Sequence, residues 1–223
     1  MYHTQKLLPV KCKKVLLDVD SPFQNIRYEM TNQGLVLFLN EEIQFVENEE
    51  RVYHHALAGV PLLRKKDGVN RVLILGGGDG LAARTIFEFN PSCRVDLCEL
   101  DPVVLWSASS ISQMAKLNKN SISRVNVFLG DAKYTIRQLN QNFYDVVVYD
   151  FPDLKVDTMG LYDPQMFWHV HRVLRKNGII SVYPGGQYWM IQDLLQIDFV
   201  KQKNTLVNIK TMGQTPIISA VRR

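Results

Sequence analysis

The sequence predicts an α/β fold, a doubly wound sheet with a small β appendage at its N-terminus, and three observations carry that reading. After about residue 47, apolar strand-like runs alternate with helical ones, the pattern of crossover units that wind around a sheet. The run Arg71-Val-Leu-Ile-Leu-Gly-Gly-Gly-Asp-Gly80 leads a buried strand straight into a glycine turn. Before residue 47 the apolar runs are short and lie between turn signals, which is the pattern of hairpins.

In chain order, Val15–Leu17 and Leu35–Leu39 surround the turns Asp20-Ser-Pro22 and Thr31-Asn-Gln-Gly34, so residues 1–46 read as an N-terminal β domain. Residues 47–223 read as the main domain. Its pattern opens with a helical stretch from Glu47 to Leu63. Strands are expected at 71–75, 94–99, 124–129, 144–150 and 178–183. Helices are expected near 81–90, 101–117, 132–140 and 163–175, with right-handed crossovers between parallel strands.

Composition narrows the class. The chain has 223 residues, 46% of them hydrophobic and 22% charged, enough to bury a core in one main domain. Cys12, Cys93 and Cys98 form neither an even disulfide framework nor a metal-ligand spacing, so free core thiols and a reducing cytoplasm are expected. Nothing approaches the roughly 18 uninterrupted apolar residues of a membrane span, and the N-terminus has no apolar signal core. The net charge is +4, and the basic clusters Lys11–Lys14 and Arg64–Lys66 are too short to suggest a nucleic-acid partner.

A ligand of such a sheet lies outside the carboxyl ends of its strands. The acids collect there: Asp79 in the turn Gly76–Gly80, Glu99 ending the next strand, Asp131 after the third and Asp150 ending the fourth. Asp79 is the informative one. A carboxylate inside a glycine turn opposes phosphate, which turns the reading from dinucleotides toward sulfonium nucleosides such as S-adenosylmethionine and its relatives. Glu99 lies 21 residues past Gly78, the spacing at which an acid bonds ribose hydroxyls; it also suits a cap on the helix starting at Asp101-Pro102. Asp131 suits a helix N-cap or recognition of an adenine edge, and its context favours the second.

Asp150-Phe-Pro-Asp153 puts two carboxylates three residues apart beyond the very apolar Val146–Tyr149. Carboxylates at a dry strand end suit an ammonium group and the proton it loses on attack. Residues 44–55, from Gln44 through Tyr53, His54 and His55, form a second unusual patch. Adjacent histidines on a helix point about 100° apart, so no metal site is expected there. Trp168, His169 and His171 read as packing residues on a Met/Phe/Trp-rich helix face.

These residues resemble the polyamine aminopropyltransferases, the spermidine and spermine synthases, from about residue 21 to about 190. Ser21–Gln24, Leu37–Gln44, Glu47–Glu50 with Tyr53-His54, Val72–Gly80, Cys98–Asp101, Gly130–Ala132 and Tyr144–Asp150 fall in family order. Asp150–Asp153 is similar to the Asp-Leu-Pro-Asp form of one bacterial branch. The resemblance implies a Rossmann-like domain of the S-adenosylmethionine-methyltransferase type behind an N-terminal β domain, assembled as a homodimer or a higher homo-oligomer. It implies transfer of an aminopropyl group from decarboxylated S-adenosylmethionine, a co-substrate rather than a tightly bound cofactor, to a polyamine such as putrescine, with release of methylthioadenosine.

By the same resemblance, Gln24, Gly76, Gly78, Glu99, Asp131 and Ala132 hold the nucleoside, and Asp79 the aminopropyl ammonium. Gln44, Tyr53 and His54 line the amine site, Asp150 accepts the proton with Tyr53 beside it, and Asp153 binds the acceptor amine. Three departures from the family pattern are His55, which stands where an acid is usual, Leu154, which stands where a Pro is usual after the second Asp, and a segment over the amine abbreviated to Thr215–Ala220. They keep two alternatives open: a catalytically degenerate binding or scaffold protein, and an S-adenosylmethionine-dependent methyltransferase.

Overall fold

The computed structural model describes residues 8–152 and 160–223. Residues 12–46 form a four-stranded antiparallel sheet in sequential order: β1 (Cys12–Asp20), β2 (Asn25–Thr31), β3 (Gly34–Leu39) and β4 (Glu42–Val46). Ile26 and Tyr28 of β2 lie on one face of the sheet, while β3 is a continuous apolar run with Leu35, Val36 and Leu37 all buried. That face, with Ile26, Tyr28, Leu35, Leu37 and Phe45, packs on Leu81, Val104, Ala108 and Met114 of the main domain. The small sheet thus stands beside the glycine turn.

A helical stretch follows in three pieces: α1 (Glu50–His54), a π-helical turn (His55–Gly59) and α2 (Val60–Arg64). Its start at Glu50 instead of Glu47 follows from Glu47, whose carboxylate accepts from the Leu35 N–H and belongs to the hairpin end.

The remaining elements are β5 (Arg71–Gly76), α3 (Leu81–Phe89), β6 (Arg94–Glu99), α4 (Pro102–Ser110), α5 (Ser112–Leu117), β7 (Asn126–Leu129), α6 (Ala132–Gln138) and β8 (Tyr144–Asp150). They are followed by α7 (Pro164–Val173), β9 (Leu174–Val182), α8 (Tyr188–Asp198), β10 (Phe199–Ile209) and β11 (Gly213–Arg222). The seven strands from β5 onward form one sheet in the order β10-β11-β9-β8-β5-β6-β7. β7, β6, β5, β8 and β9 run parallel, and β11 is antiparallel to both its neighbours. β8 and β5 are central, and that is why their sequences are uninterrupted apolar runs instead of alternating ones. Separate buried clusters, one around Leu73, Val147 and Val170 and one around Ile74, Val146 and Ile86, fill the two faces of the sheet.

Departures from expectation have local causes. The expected helix 101–117 breaks at Ile111, whose ψ of 113° is extended, giving α4 and α5. β7 starts at Asn126, because Ser121–Arg124 forms a 3-10 turn. α8, β10 and β11 were not expected. On α7, His169 is buried and His171 meets the Phe199 ring at 5.8 Å, but Trp168 is 53% exposed and does not pack into the core.

Candidate active site

The carboxyl ends of β5, β6, β7 and β8 open into a cavity of about 380 Å³, roofed by residues of β3 and β4 and bounded at one end by α1 and the β10–β11 turn. Gln24, Gln44, Tyr53, His54, Gly76, Gly78, Asp79, Glu99, Asp131, Ala132 and Asp150 all line it. Asp153 and Leu154 lie outside the described residues.

Glycines let the strand ends converge. Gly76 pairs with Asp150 across β5 and β8 and has φ +81°; a Cβ there would sit 2.3 Å from the Asp150 carbonyl oxygen. At Gly78 a Cβ would lie 2.6 Å from Glu99 Oε2, the oxygen that accepts the Gly78 N–H at 3.1 Å. The other Glu99 oxygen accepts from the Asp101 N–H at 2.9 Å. Burial pushes the Glu99 carboxyl up to about 7 in spite of these backbone donors.

Asp101, not Glu99, caps α4: its Oδ1 accepts from the Val103 N–H at 2.9 Å. Its Oδ2 accepts from Ser21 Oγ at 2.6 Å and Gln24 Nε2 at 3.1 Å, which ties the loop carrying Gln24 to the rim. Asp131 is the N-cap of α6, accepting the Lys133 N–H at 2.8 Å through Oδ1, while it also borders the cavity. The two sequence readings of Asp131 are therefore compatible. Gln44 borders the cavity from β4 and donates to the Glu42 carbonyl at 3.1 Å.

At the other end, Asp79 Oδ1 accepts the Leu81 N–H at 2.8 Å, fixing its carboxylate at the start of α3. Tyr53 Oη donates to Asp150 Oδ1 at 3.1 Å, and the Tyr53 ring meets Tyr183 edge-on at 5.8 Å. Burial raises the carboxyl of Asp79. It also raises Asp150 to about 6, with the Asp79 charge adding to the effect and the His54 charge and the Tyr53 hydrogen bond opposing it. The Tyr53 hydroxyl is driven well above its usual range by burial and by the Asp150 charge, so it stays protonated and keeps its hydrogen for Asp150.

Sequence reasoning missed what lies behind His54. Its Nδ1 is 3.0 Å from Glu50 Oε2, and Arg84 grips the same carboxylate at 2.8 Å through each of its terminal nitrogens. Glu49, one residue earlier, accepts from the Lys210 and Thr211 N–H groups at 2.8 and 3.0 Å and from the Thr211 hydroxyl, holding the β10–β11 turn against α1. The signal available in the sequence was the acid pair Glu49-Glu50 just ahead of Tyr53.

Two expectations need correction. His55 is exposed, sits 5.4 Å from the Phe89 ring and does not line the cavity, because the helix turns it about 100° from His54. The residue at this position takes no acid away from the site. Thr215–Ala220 is no abbreviated cover: it belongs to β11, inside the sheet with Ile217, Ile218 and Ala220 buried, and only Thr215 reaches the cavity.

Strand order and cavity position define the class, a Rossmann-like domain of the S-adenosylmethionine-methyltransferase type with an added N-terminal sheet. Within that class, the chain belongs to the spermine/spermidine synthase domain family, whose profile matches residues 50–215. It is 36% identical over 190 residues to polyamine aminopropyltransferase 2 of Bacillus cereus, covering 81% of this chain and 51% of that protein. Polyamine aminopropyltransferase of Prochlorococcus marinus is 30% identical over 173 residues, 77% of this chain and 60% of that one. The chain spans about half the length of the Bacillus relatives it matches, at 51% for each. A crystal structure of spermidine synthase in complex with the transition-state analogue AdoDATO superposes with a TM-score of 0.84 at 22% identity, covering 96% of this chain and 75% of that one. Spermidine synthase from Thermotoga maritima gives the same TM-score of 0.84 at 23% identity and the same coverage, and both likenesses concern the fold.

Proposed function

We propose that this chain transfers the aminopropyl group of decarboxylated S-adenosylmethionine to a polyamine, putrescine in the first place, and releases methylthioadenosine. The observation that carries the reading is the pair of half-buried acids, Asp79 and Asp150, bordering one cavity at the end of which Tyr53 and His54 stand, both with carboxyls raised by desolvation. Two desolvated carboxylates suit a ligand that brings cations. Asp79 attracts the aminopropyl ammonium and repels the carboxylate of intact S-adenosylmethionine, which weighs against a methyltransferase.

In the reaction the acceptor nitrogen attacks the methylene carbon beside the sulfonium. A C–N bond forms, the C–S bond breaks, and its electron pair returns to sulfur as a neutral thioether. The acceptor is an ammonium with a pKa near that of lysine, about 10.4, and attacks only after losing a proton. Asp150 takes that proton, and the Tyr53 hydrogen bond aims the carboxylate. Glu99, Gln24, Gly76, Gly78, Asp131 and Ala132 hold the nucleoside, and Gln44 lines the amine site from the small sheet with Tyr53 and His54. By motif, Asp153 binds the far end of the acceptor. The working form is a cytoplasmic homodimer or higher homo-oligomer, with residues 1–46 as the N-terminal β domain. Among the described residues, no helix is long and apolar enough to cross a membrane.

The test supplies purified protein with decarboxylated S-adenosylmethionine and a panel of diamines and follows methylthioadenosine and new polyamine by mass spectrometry. Both products are expected with putrescine. Tight nucleoside binding without product would favour a binding or scaffold role, and methyl transfer from intact S-adenosylmethionine would replace the reading altogether.

A further inference from the structure

The Glu50–Arg84 pair touches no cavity chemistry directly on its Arg84 side, yet it is held at high cost. Both side chains are 1% exposed, and the contact is bidentate, Nη1 to Oε1 and Nη2 to Oε2 at 2.8 Å each. Desolvating two charges is unfavourable unless the geometry is good and the remaining hydrogen-bonding groups are satisfied. Here Arg84 Nη1 also donates to the Leu117 carbonyl at 3.1 Å and the carboxylate receives His54, while among the described residues Arg84 Nε makes no hydrogen bond and has only the Glu88 carboxylate, 3.9 Å away, as a counter-charge.

His54 Nδ1 lies 2.8 Å from the Glu50 carbonyl oxygen and 3.0 Å from Glu50 Oε2. A carbonyl only accepts. The carboxylate also only accepts, since burial would raise its pKa but the hydrogen bonds and charges of His54 and Arg84 outweigh burial and hold it down at about 2. Nδ1 therefore carries the proton. That fixes the neutral ring as the Nδ1–H tautomer and leaves Nε2 as the nitrogen turned away from Glu50, on a residue that lines the cavity.

We propose that Glu50 and Arg84 are positioning residues that lock His54 as the Nδ1–H tautomer, so that its Nε2 accepts a hydrogen bond from a cationic amine in the cavity. This rests on the aminopropyltransferase reading for the identity of the amine. Glu50 and Tyr53 face the ring from its own helix, Asp79 from the glycine turn and Asp150 from β8, with Arg84 on α3 behind Glu50. Burial alone would lower the ring's pKa, but the Glu50 hydrogen bond and the Asp150 and Asp79 charges raise it. Ring proton and substrate ammonium thus compete for one set of acids, and amine binding strengthens as pH rises through the His54 midpoint.

The test is nitrogen-detected histidine NMR of the intact protein, with the His54 signal assigned by its loss in His54→Gln. Above its midpoint, His54 is expected to carry its proton on Nδ1; a proton on Nε2 overturns the proposal. Glu50→Gln leaves Arg84 buried without a counter-charge and is prone to misfold, so Glu50→Gln/Arg84→Met removes both charges together. In that folded pair the His54 midpoint is expected to fall by about one unit, and the acceptor KM to rise about tenfold while kcat changes less than about twofold. An unmoved midpoint with an unmoved KM overturns the proposal. Failure of every diamine to react would refute the functional reading, while the tautomer still decides this inference.

Discussion

Tyr53 Oη reaches Asp150 Oδ1 at 3.1 Å across 97 residues of sequence, joining the helix after the small sheet to the end of the central strand β8. The bond stabilises the ionised carboxylate against the burial and the Asp79 charge that raise it. Tyr53→Phe removes this donor and keeps the ring contact with Tyr183. Since a hydrogen bond to a charged group is worth about 1.5–3 kcal/mol, the acidic limb of kcat/KM is expected to move up by about one pH unit or more. A pH–rate profile checks this, and an unmoved limb would show that Asp150 does not set it.

Replacing Asp150 by Asn keeps the size and removes the proposed proton acceptor. Transfer is expected to fall by about 10²–10⁴-fold, while methylthioadenosine binding by calorimetry stays within about threefold. Turnover near the wild-type rate would remove Asp150 from its assigned role.

Gly78→Ala tests the nucleoside end. Its new Cβ would fall 2.6 Å from Glu99 Oε2 and 2.8 Å from Glu99 Cδ, so the carboxylate must swing away from the turn. The backbone φ at Gly78 is not in the left-handed region, which keeps the effect on folding small. A loss of about tenfold or more in nucleoside affinity is expected with little change in Tm, and unchanged affinity would separate Glu99 from the ribose.

The glycine turn, the acids at the strand ends and the alternation of β5 to α7 were legible because each is a local pattern whose geometry follows from a few neighbouring residues. The hairpin β10–β11 gave little signal: only Phe199, Val207 and Ile209 of β10 are buried, its middle is polar, and it lies after the last expected strand, where no motif drew attention to it. What sequence could not supply were pairings at a distance. Glu50 finds Arg84 34 residues away, and Glu49 reaches Thr211 across 162. Neither partner can be chosen from spacing, because the choice is made by how α1 packs on α3 and against the β10–β11 turn. The divergence of His54 and His55 by about 100°, by contrast, follows directly from helical geometry.

The acids that suit the cavity to a cation also oppose folding of the empty protein. Asp150 titrates near about 6 in the fold and near the ordinary aspartate value of 3.8 once unfolded. Between those values the native state holds the proton that the unfolded chain has lost, so stability falls as pH rises through this window. Two units or so at about 1.4 kcal/mol each bound the loss at about 3 kcal/mol. Glu50 works with the opposite sign: its carboxyl, lowered to about 2, contributes stability that is present above the usual 4.5 and is lost as pH falls toward 2. Stability of the empty protein is therefore expected to peak near pH 4–5, and Asp150→Asn should raise Tm at pH 8 while leaving it nearly unchanged at pH 4. A cationic ligand should close the same gap, raising wild-type Tm more at pH 8 than at pH 5 and raising that of Asp150→Asn less. Thermal melts of both proteins across pH 4–8 decide it: if Asp150→Asn is no more stable than wild type at pH 8, the buried carboxylate is already compensated without a ligand, and the argument that the cavity awaits a cation loses its main support.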